Sequence, residues 1–532
     1  MAYMVMEKKQ VKHILFWAAI FLLLLFVGSG VVVSPFVGDI NFIDEGQFGA
    51  WLMHMQSGQH LYKDAYAAYG PLYIYPIYLL SKIFTPSVFL IRMTYIVCNS
   101  FFALVIAWAV LRKLKVFSRL QILCILLLLL VPGYVMRQGI GFLALLLCVS
   151  ALERKNRLLD LAAGISLALC FLVSVEIGIF IAIIFGLLHL YHWVVSKKSS
   201  VMLWRTLFTL GGFLMISFSF FLWSNGEGWF WAYIHSTLDD LSVYSSIDLP
   251  NGMSFPNAIQ LLPSSLSPIP LVKYLFSKEI LLYWLFLFYL ITFFYLFVRF
   301  ILKRQQKGEE FVFSIFLYGF FLSMILIGRS GHFPFVLPPV FILFAYFLQI
   351  LIKVFLGTKD KAGKVLSCGL ILILLLFSLR IVLIYRPHFS KVLQVPSAVF
   401  AKRNNPMYVG PVAISSKQRE SIMTIQGFIH EHTEPSERVF FLSNTPMMYM
   451  LVSRNNPTRF DLPEVANTKE KRLEVLADLI DDQTKYIIDD TEAWDVDGIS
   501  NRRRLPEITE YLEKNYIKAR LDNFIIYTKK NN

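Results

Sequence analysis

The chain has 532 residues, of which 56% are hydrophobic and 16% aromatic, and its mean hydropathy is +0.59. This composition excludes an ordinary soluble domain, and repeated apolar runs near the ~20 residues that cross a bilayer predict a polytopic α-helical membrane protein. The formal net charge of +14 resides largely in short basic connections without interleaved aromatic residues, so it does not indicate a nucleic-acid partner.

The N-terminal part of the chain contains two predicted spans with a long external loop between them. The first span is predicted at residues 14–33, after three lysines. It is longer than the apolar region of a signal peptide, and no small-residue cleavage pattern follows it. The loop covers residues 34–87 and includes an apolar run at 72–84. Because that run is too short to cross, we expect it to lie at the membrane interface. The second span is predicted at residues 88–111.

Further spans follow along the chain and bring the expected total to about eleven crossings. Basic residues cluster in alternate connections, which face the cytoplasm by the positive-inside rule. The loop 34–87, a second loop at 225–279 and everything after residue 385 are therefore expected on the exported side. These further spans are predicted at residues 121–135, 139–152, 159–173, 177–195, 206–223, 280–302, 311–327, 335–352 and 365–385.

The composition changes after residue 385, where the apolar runs stop. Residues 1–386 are predicted to form the membrane domain, 387–420 a polar linker and 421–532 a small exported α/β domain. Strands are predicted at 438–442, 485–489 and 524–528, and helices at 469–480 and 505–515.

Several familiar sites are excluded by the sequence. The run GTKDKAGKV at residues 357–365 has the wrong spacing for a phosphate-binding loop, and Val365 replaces the required Ser or Thr. There is no HExxH motif and no paired CxxC motif, so no dedicated zinc site is predicted. All the cysteines fall in predicted spans, so no disulfide framework is expected: Cys98, Cys124, Cys148, Cys170 and Cys368.

The most motif-like stretch covers residues 44–76, directly after the first span. It begins with the adjacent acids Asp44 and Glu45, contains Asp64 in the run LYKD, and ends with a Gly-Pro break. Adjacent carboxylates at a membrane surface are unfavourable unless water, a cation or a substrate compensates their charge. The stretch is therefore a candidate functional site, with a solvated, inactive loop as the alternative.

Other polar residues stand where they are costly. Glu176 lies near the outer end of a pair of spans, where an acid faces the bundle interior or a water cavity; a solvated turn is the alternative. Arg329 and His332 suit a phosphate, and an arginine that extends to the interface is the alternative there. Four further cations on the outer side could share an anionic headgroup: Lys63, Lys82, Arg92 and Arg137.

Four motifs carry a resemblance to a known family. The run FIDEGQFGAWLMHMQSGQHLYKDAYAAYGPLYIYP at residues 42–76 resembles the first external loop of GT-C glycosyltransferases. The similarity is to the branch that holds the protein O-mannosyltransferases and the lipid A aminoarabinose transferase. SVEIG around Glu176 and GRSGHFPFVLPP around Arg329 are also similar to that branch. ERVFFLSNTPMMYMLVSRNNPTRF at 437–460 resembles the exported C-terminal domains of its bacterial members.

This resemblance implies a polyprenyl-phosphate sugar donor and a hydroxyl acceptor on an envelope lipid, a glycan or a protein, with inversion at the anomeric carbon. Asp44 is the expected base, because a hydroxyl is a weak nucleophile until a carboxylate takes its proton. Glu45 is expected to orient the acceptor or to support a divalent cation, whose participation stays open. The donor phosphate is expected to bind Arg329, His332, Lys63, Lys82 and Arg92. Asp64, Glu176, Tyr62 and Arg137 complete the candidate site.

Two other functions remain open on the sequence. A lipid-linked oligosaccharide ligase or polymerase would be expected to have a basic external centre and no α/β tail. A lipid or glycan transporter or flippase would be expected to show internal repeats and charges at the middle of the membrane. The compact loops and the lack of an organelle signal favour the inner membrane of a bacterium.

Overall fold

The computed structural model describes residues 35–114, 135–195, 199–243, 262, 267–301, 309–324, 336–385, 405–495 and 498–530. The chain divides into two compact units. The first contains residues 1–31, 98–216 and 253–389, and the second contains 32–97, 217–252 and 390–532. The second unit thus combines three segments that are far apart in sequence.

Among the described residues up to 385, the regular elements are helices. Residues 35–87, which we call the external segment after their predicted side, hold α1 (Asp44–Gln56) and α2 (Pro71–Ser81). The helices that follow are α3 (Val88–Lys113), α4 (Val135–Arg154), α5 (Arg157–Val173), α6 (Val175–Val195), α7 (Ser199–Gly226), α8 (Phe230–Val243), α9 (Pro268–Leu275), α10 (Lys278–Ile301), α11 (Glu309–Met324), α12 (Leu337–Gly357) and α13 (Lys361–Tyr385).

Seven helices in the described residues are long and apolar enough to cross a membrane, namely α3, α4, α6, α7, α10, α12 and α13. The predicted class, a polytopic α-helical membrane protein, is confirmed. Helices α5 and α11 have 17 and 16 residues, which is short for a crossing. The predicted span at 14–33, and nearly all of the one at 121–135, lie outside the described residues. The total of about eleven crossings stays a prediction.

Close helix packing and a buried ion pair hold the first unit together. A Cβ added at Gly164 of α5 would lie 1.8 Å from the carbonyl oxygen of Thr209 on α7, so the two backbones touch. Small residues allow such contacts in membranes, where apolar burial between helices contributes little. Arg205 of α7 donates from Nε and Nη2 to Asp160 of α5, at 3.2 and 3.1 Å. Both side chains are buried, so each charge depends on the other.

The described residues from 405 to 530, which we call the C-terminal segment, form an α/β layer within the second unit. Its elements are α14 (Ser416–His432), β1 (Val439–Phe441), α15 (Met447–Val452), α16 (Lys469–Asp481), β2 (Tyr486–Asp490), α17 (Asn501–Arg504), α18 (Pro506–Asn515), β3 (Tyr516–Leu521) and β4 (Phe524–Lys529). The strand order is β1-β2-β4-β3, with β1 parallel to β2 and the other pairs antiparallel.

The sheet elements largely coincide with the prediction. Strands predicted at 438–442, 485–489 and 524–528 correspond to β1, β2 and β4, and both predicted helices are present as α16 and α18. Strand β3 was not predicted, because its sequence YIKARL has little apolar alternation and most of its residues are exposed. Antiparallel hydrogen bonding to β4 stabilises this strand, although its own sequence has no strand pattern.

The external segment and the C-terminal segment pack against each other inside the second unit. The Gly38 N–H donates to the Ala413 carbonyl at 3.0 Å, and the Ala413 N–H donates to the Phe36 carbonyl at 2.7 Å. Helix α15 lies along α1, and the Met447 N–H donates to the Phe42 carbonyl at 3.3 Å. The bonded residues are about 400 positions apart in the sequence. The position of α1 therefore depends on contacts that the sequence near α1 does not predict.

Candidate functional site

The candidate site is built around the start of α1. Asn41 lies just before the helix, and its Oδ1 accepts from the N–H groups of Ile43 and Asp44 at 3.0 and 2.9 Å. These bonds satisfy backbone donors that a helix start leaves unpaired. Asp44 and Glu45 then occupy the first turn, where the helix dipole favours negative charge. The helix dipole therefore stabilises two adjacent acids in the first turn of α1.

The two carboxylates have different environments. Arg92 of α3 binds Glu45 through two parallel bonds, from Nε to Oε1 at 2.8 Å and from Nη2 to Oε2 at 2.9 Å. The same guanidinium donates to the carbonyl oxygens of Gly38 and Asp39 at 3.0 and 2.8 Å. Arg92 is buried, whereas Asp44 is exposed. Glu45 is therefore committed to an ion pair that ties α1 to α3.

Asp44 is the carboxylate that faces solvent. Its Oδ2 accepts from the Asn41 amide at 2.8 Å, and its side chain stays accessible beside the Glu45–Arg92 pair. An exposed carboxylate oriented by a hydrogen bond can take a proton from a hydroxyl placed against it. We call Asn41, Asp44, Glu45 and Arg92 the Asp44 cluster.

The LYKD loop is a tight turn within the second unit. The Tyr62 N–H donates to the Ala65 carbonyl at 2.6 Å, with Tyr62 itself at φ +71°, and Asp64 Oδ2 accepts from the His60 N–H at 2.8 Å. The Tyr62 ring is buried, stacks on Trp229 and donates its hydroxyl to the Tyr69 carbonyl at 2.6 Å. Burial raises the pKa of Tyr62 well above its ordinary value, so the phenol stays neutral. Asp64 and Tyr62 therefore shape the loop.

Two of the predicted phosphate ligands are exposed cations. Lys63 lies on the outside of the LYKD turn. Lys82 follows the last residue of α2, and its Nζ lies 4.5 Å from the centre of the Tyr78 ring. A lysine over an aromatic face keeps its charge available on the other side. The end of α2 also exposes Leu79, Ile83 and Phe84.

Arg137 and Glu176 belong to the first unit, where they pair with each other. Arg137 Nη2 donates to Glu176 Oε2 at 2.7 Å and to the Ser174 hydroxyl at 3.2 Å. Glu176 lies in the first turn of α6, and one residue separates that helix from α5. Glu176 thus lies at a short turn between two helices, and an arginine neutralises its charge. Arg329 and His332 lie outside the described residues.

Two tryptophan side chains near the C-terminal end of α7 bind the same carboxylate. The Glu227 carboxylate accepts from the indole N–H groups of Trp223 and Trp229, both at 3.0 Å. Tyr75 of α2 contacts Trp223 edge to face, with ring centres 5.1 Å apart. Trp223 is 40% exposed, which is typical of tryptophans at a membrane interface.

Sequence reasoning missed three polar residues of this region. Asn41 had a local signal, since an Asn three residues before two acids is typical of a helix start. His54 lies on α1 and is 2% exposed; its Nε2 contacts Asp461 Oδ1 at 2.9 Å. Nothing local marks that pair, because the residues are 407 positions apart. No group of three or more His, Cys, Asp or Glu side chains within the described ranges is arranged to hold a metal ion.

Comparisons with known proteins give a match at the level of structure. No protein-family model and no curated protein matches the sequence. ArnT from Cupriavidus metallidurans in the apo state superposes with a TM-score of 0.52 and 12% identity, over 98% of this chain and 98% of that chain. The same protein bound to undecaprenyl phosphate gives a TM-score of 0.48 and 12% identity, over 96% and 97%. The apo structure shows that this chain has the ArnT fold over nearly its whole length, which confirms the GT-C fold that the motifs predict.

Proposed function

We propose that this chain, which has the fold of ArnT, is a membrane glycosyltransferase. It moves a sugar from a polyprenyl-phosphate donor to a hydroxyl of an envelope lipid, glycan or protein on the exported face of a bacterial inner membrane. The observation that carries the proposal is the Asp44 cluster, in which one of two adjacent carboxylates is neutralised and the other is left exposed.

The chemistry assigned to Asp44 is proton transfer. Its carboxylate takes the proton of the acceptor hydroxyl while the hydroxyl oxygen attacks the anomeric carbon. The bond from that carbon to the phosphate oxygen breaks, and its electron pair leaves with the lipid phosphate. A single displacement of this kind inverts the anomeric configuration. The departing phosphate needs cations beside it, because it gains negative charge as the bond breaks.

Glu45 and Arg92 have a positioning role in this proposal. Their paired bonds and the two backbone carbonyls occupy the guanidinium, so Arg92 fixes the first turn of α1. This arrangement favours orientation of Asp44 over direct binding of the donor phosphate by Arg92. Lys63 and Lys82 are exposed in the same unit and stay candidates for the phosphate, with Arg329 and His332.

The lipid tail of the donor is assigned to the apolar end of α2. Leu79, Ile83 and Phe84 expose apolar surface there, next to the cation of Lys82. A charged group beside exposed apolar side chains suits a lipid phosphate, whose head is anionic and whose tail is apolar. This pairing supports a lipid-linked donor over a soluble one.

The test is the variant Asp44→Asn in the full chain, purified in detergent with bacterial lipids. A panel of labelled polyprenyl-phosphate monosaccharides is offered with envelope extracts as acceptors, and release of polyprenyl phosphate is measured. Loss of the base lowers the rate by about 100- to 10,000-fold. The matched control is Glu492→Gln, which neutralises an acid in an exposed ion pair of the same unit and leaves the rate unchanged. Transfer by Asp44→Asn at the wild-type rate would contradict the assignment.

A further inference from the structure

The feature that the transfer chemistry does not use is a buried charged pair on the far end of α1. His54 and Asp461 are 2% and 3% exposed, and Nε2 of the imidazole lies 2.9 Å from Oδ1 of the carboxylate. Asp461 Oδ1 also accepts from the Asn456 amide at 3.0 Å. Asp461 Oδ2 is buried and has no hydrogen-bond partner among the described residues. The carboxylate therefore depends on His54 for its compensation.

The surroundings of His54 favour its charged form. Its Nδ1 lies 2.6 Å from Oε1 of Gln59, an oxygen that also accepts from the Ser57 hydroxyl at 3.3 Å. With an amide oxygen on one side and a carboxylate on the other, both ring nitrogens act as donors, which only the imidazolium can do. Burial lowers the pKa of His54, but the charge and hydrogen bond of Asp461, with smaller contributions from Gln59 and Asp64, raise it above its ordinary value.

The pair lies at one end of a helix whose other end carries Asp44. Ten residues separate Asp44 from His54, a rise of about 15 Å along α1. Between them, Gly46 packs directly on the backbone of Met447, since an added Cβ would lie 2.5 Å from its nitrogen. Helix α1 is thus attached to the C-terminal segment along its length, by backbone packing near the start and by an ion pair near the end.

We propose that His54 and Asp461 form a proton-dependent latch that holds α1 in place, and that release of the latch displaces Asp44. Both are positioning residues, and the consequence for Asp44 rests on the proposed function. The titratable groups that face the imidazole are Asp461 from the C-terminal segment and Asp64 from the LYKD loop. Tyr449 of α15 is within electrostatic range of Asp461 and stays neutral, since burial raises its pKa well above the ordinary value.

The direction of the pH effect follows from the charged state. A histidine whose pKa is raised by folding stabilises the fold fully at pH below its ordinary value of 6.5. That contribution is lost as the pH rises through the raised value. The latch is therefore closed below pH 6.5 and opens as the pH rises through the raised pKa of His54.

The experiment compares the full-length wild type with Asp461→Asn and His54→Gln between pH 6 and pH 9. The measured quantity is the protection of the α1 backbone amides against hydrogen exchange, corrected for the intrinsic pH dependence of exchange. In the wild type, protection falls on the order of tenfold in a step as the pH rises through the raised pKa of His54. Asp461→Asn moves that step to lower pH, because burial then outweighs the remaining attraction. His54→Gln abolishes the step.

The matched control is Glu507→Gln, which breaks the Arg472–Glu507 ion pair between α16 and α18 and follows the wild-type curve. Superimposed curves for the wild type and Asp461→Asn would overturn the latch, as would a wild-type step that persists in His54→Gln. The release of polyprenyl phosphate is measured on the same samples. If the wild type releases none from any donor, the proposed function fails while the exchange curves still decide the latch. If transfer occurs and its pH profile is the same in Asp461→Asn, the link from the latch to Asp44 fails alone.

Discussion

At the scale of single residues, two neighbouring acids are given different tasks by what surrounds them. From the sequence, Asp44 is the expected base and Glu45 the residue that orients the acceptor or supports a cation, but the sequence does not predict what surrounds either acid. The structure separates them, because Arg92 reaches Glu45 and not Asp44. Arg92 is 47 positions from Glu45 and lies on another helix. The sequence near α1 therefore gives no signal for this ion pair. The structure thus adds an ion pair on Glu45 that the sequence did not predict, and it leaves the carboxylate of Asp44 exposed.

The Glu45–Arg92 pair leads to a stability prediction. Glu45→Gln leaves a buried guanidinium without its counter-charge, so we expect the free energy of unfolding to fall by about 2–4 kcal/mol. The side chains of Arg92 and Glu45 are 8% and 25% exposed, which places the loss toward the lower end of that range. The measurement is thermal unfolding of the detergent-solubilised chain, followed by tryptophan fluorescence.

Two further variants make that measurement decisive. Glu474→Gln breaks the more exposed Arg459–Glu474 pair, so its effect should stay below about 1 kcal/mol. The double variant Glu45→Gln with Arg92→Gln removes both charges and should recover part of the loss. Equal unfolding temperatures for Glu45→Gln and Glu474→Gln would mean that the buried pair is not important for stability.

At the scale of elements, the contacts of helix α1 with its neighbours determine where the Asp44 cluster lies. It begins at an asparagine-capped acidic turn, packs against α2 and α15, and ends beside the buried His54. Its two glycines face the same helix α15 with different consequences. A Cβ at Gly46 would meet the Met447 backbone nitrogen at 2.5 Å, whereas one at Gly49 would meet the flexible Met447 sulfur at 3.0 Å. The backbone cannot yield as a side chain can.

This difference predicts that two Gly→Ala substitutions in α1 affect the transfer rate differently. Gly46→Ala pushes the first turn of α1 away from α15, and a displacement near 1 Å at a reacting group costs transfer rate on the order of 10- to 100-fold. Gly49→Ala gains helix propensity of about 1 kcal/mol and displaces only a methionine side chain, so its rate should stay near that of the wild type. The measurement is release of polyprenyl phosphate by the two purified variants. A rate for Gly46→Ala equal to that for Gly49→Ala would show that contact with α15 does not position the acidic turn.

The elements that the sequence predicted are those with a local sequence signal. Apolar runs predicted the helices that are long and apolar enough to cross a membrane, and strand propensity predicted β1, β2 and β4, because both signals are local. The polar strand β3 and the attachment of α1 to the C-terminal segment were not predicted, because partners distant in sequence determine both. For the candidate site, the acidic motif and the choice of Asp44 as the base came from the sequence, while the pairing of Glu45 with Arg92 and of His54 with Asp461 did not.

At the scale of the whole molecule, one compact unit is assembled from the external segment, residues 217–252 and the C-terminal segment. Backbone bonds such as Gly38 to Ala413 and Val88 to Tyr408 join its first and last parts. Segments joined by backbone hydrogen bonds in this way must lie on the same side of a membrane. The side predicted for residues 34–87 from the basic connections is therefore tied to the side of everything after residue 385.

That link makes the orientation testable with fusions at three positions. Alkaline phosphatase, which becomes active only outside the cytoplasm, is fused after residue 58, after residue 358 and after residue 530. Residue 58 lies in the external loop, 358 in a basic connection between α12 and α13, and 530 at the end of β4. We expect activity at 58 and 530 and none at 358, and a fluorescent protein that matures only in the cytoplasm should show the reverse. Activity at 358 alone would place Asp44 in the cytoplasm, where a hydroxyl acceptor on the exported face could not meet it. Agreement between 58 and 530 is required in either orientation, because one folded unit contains both.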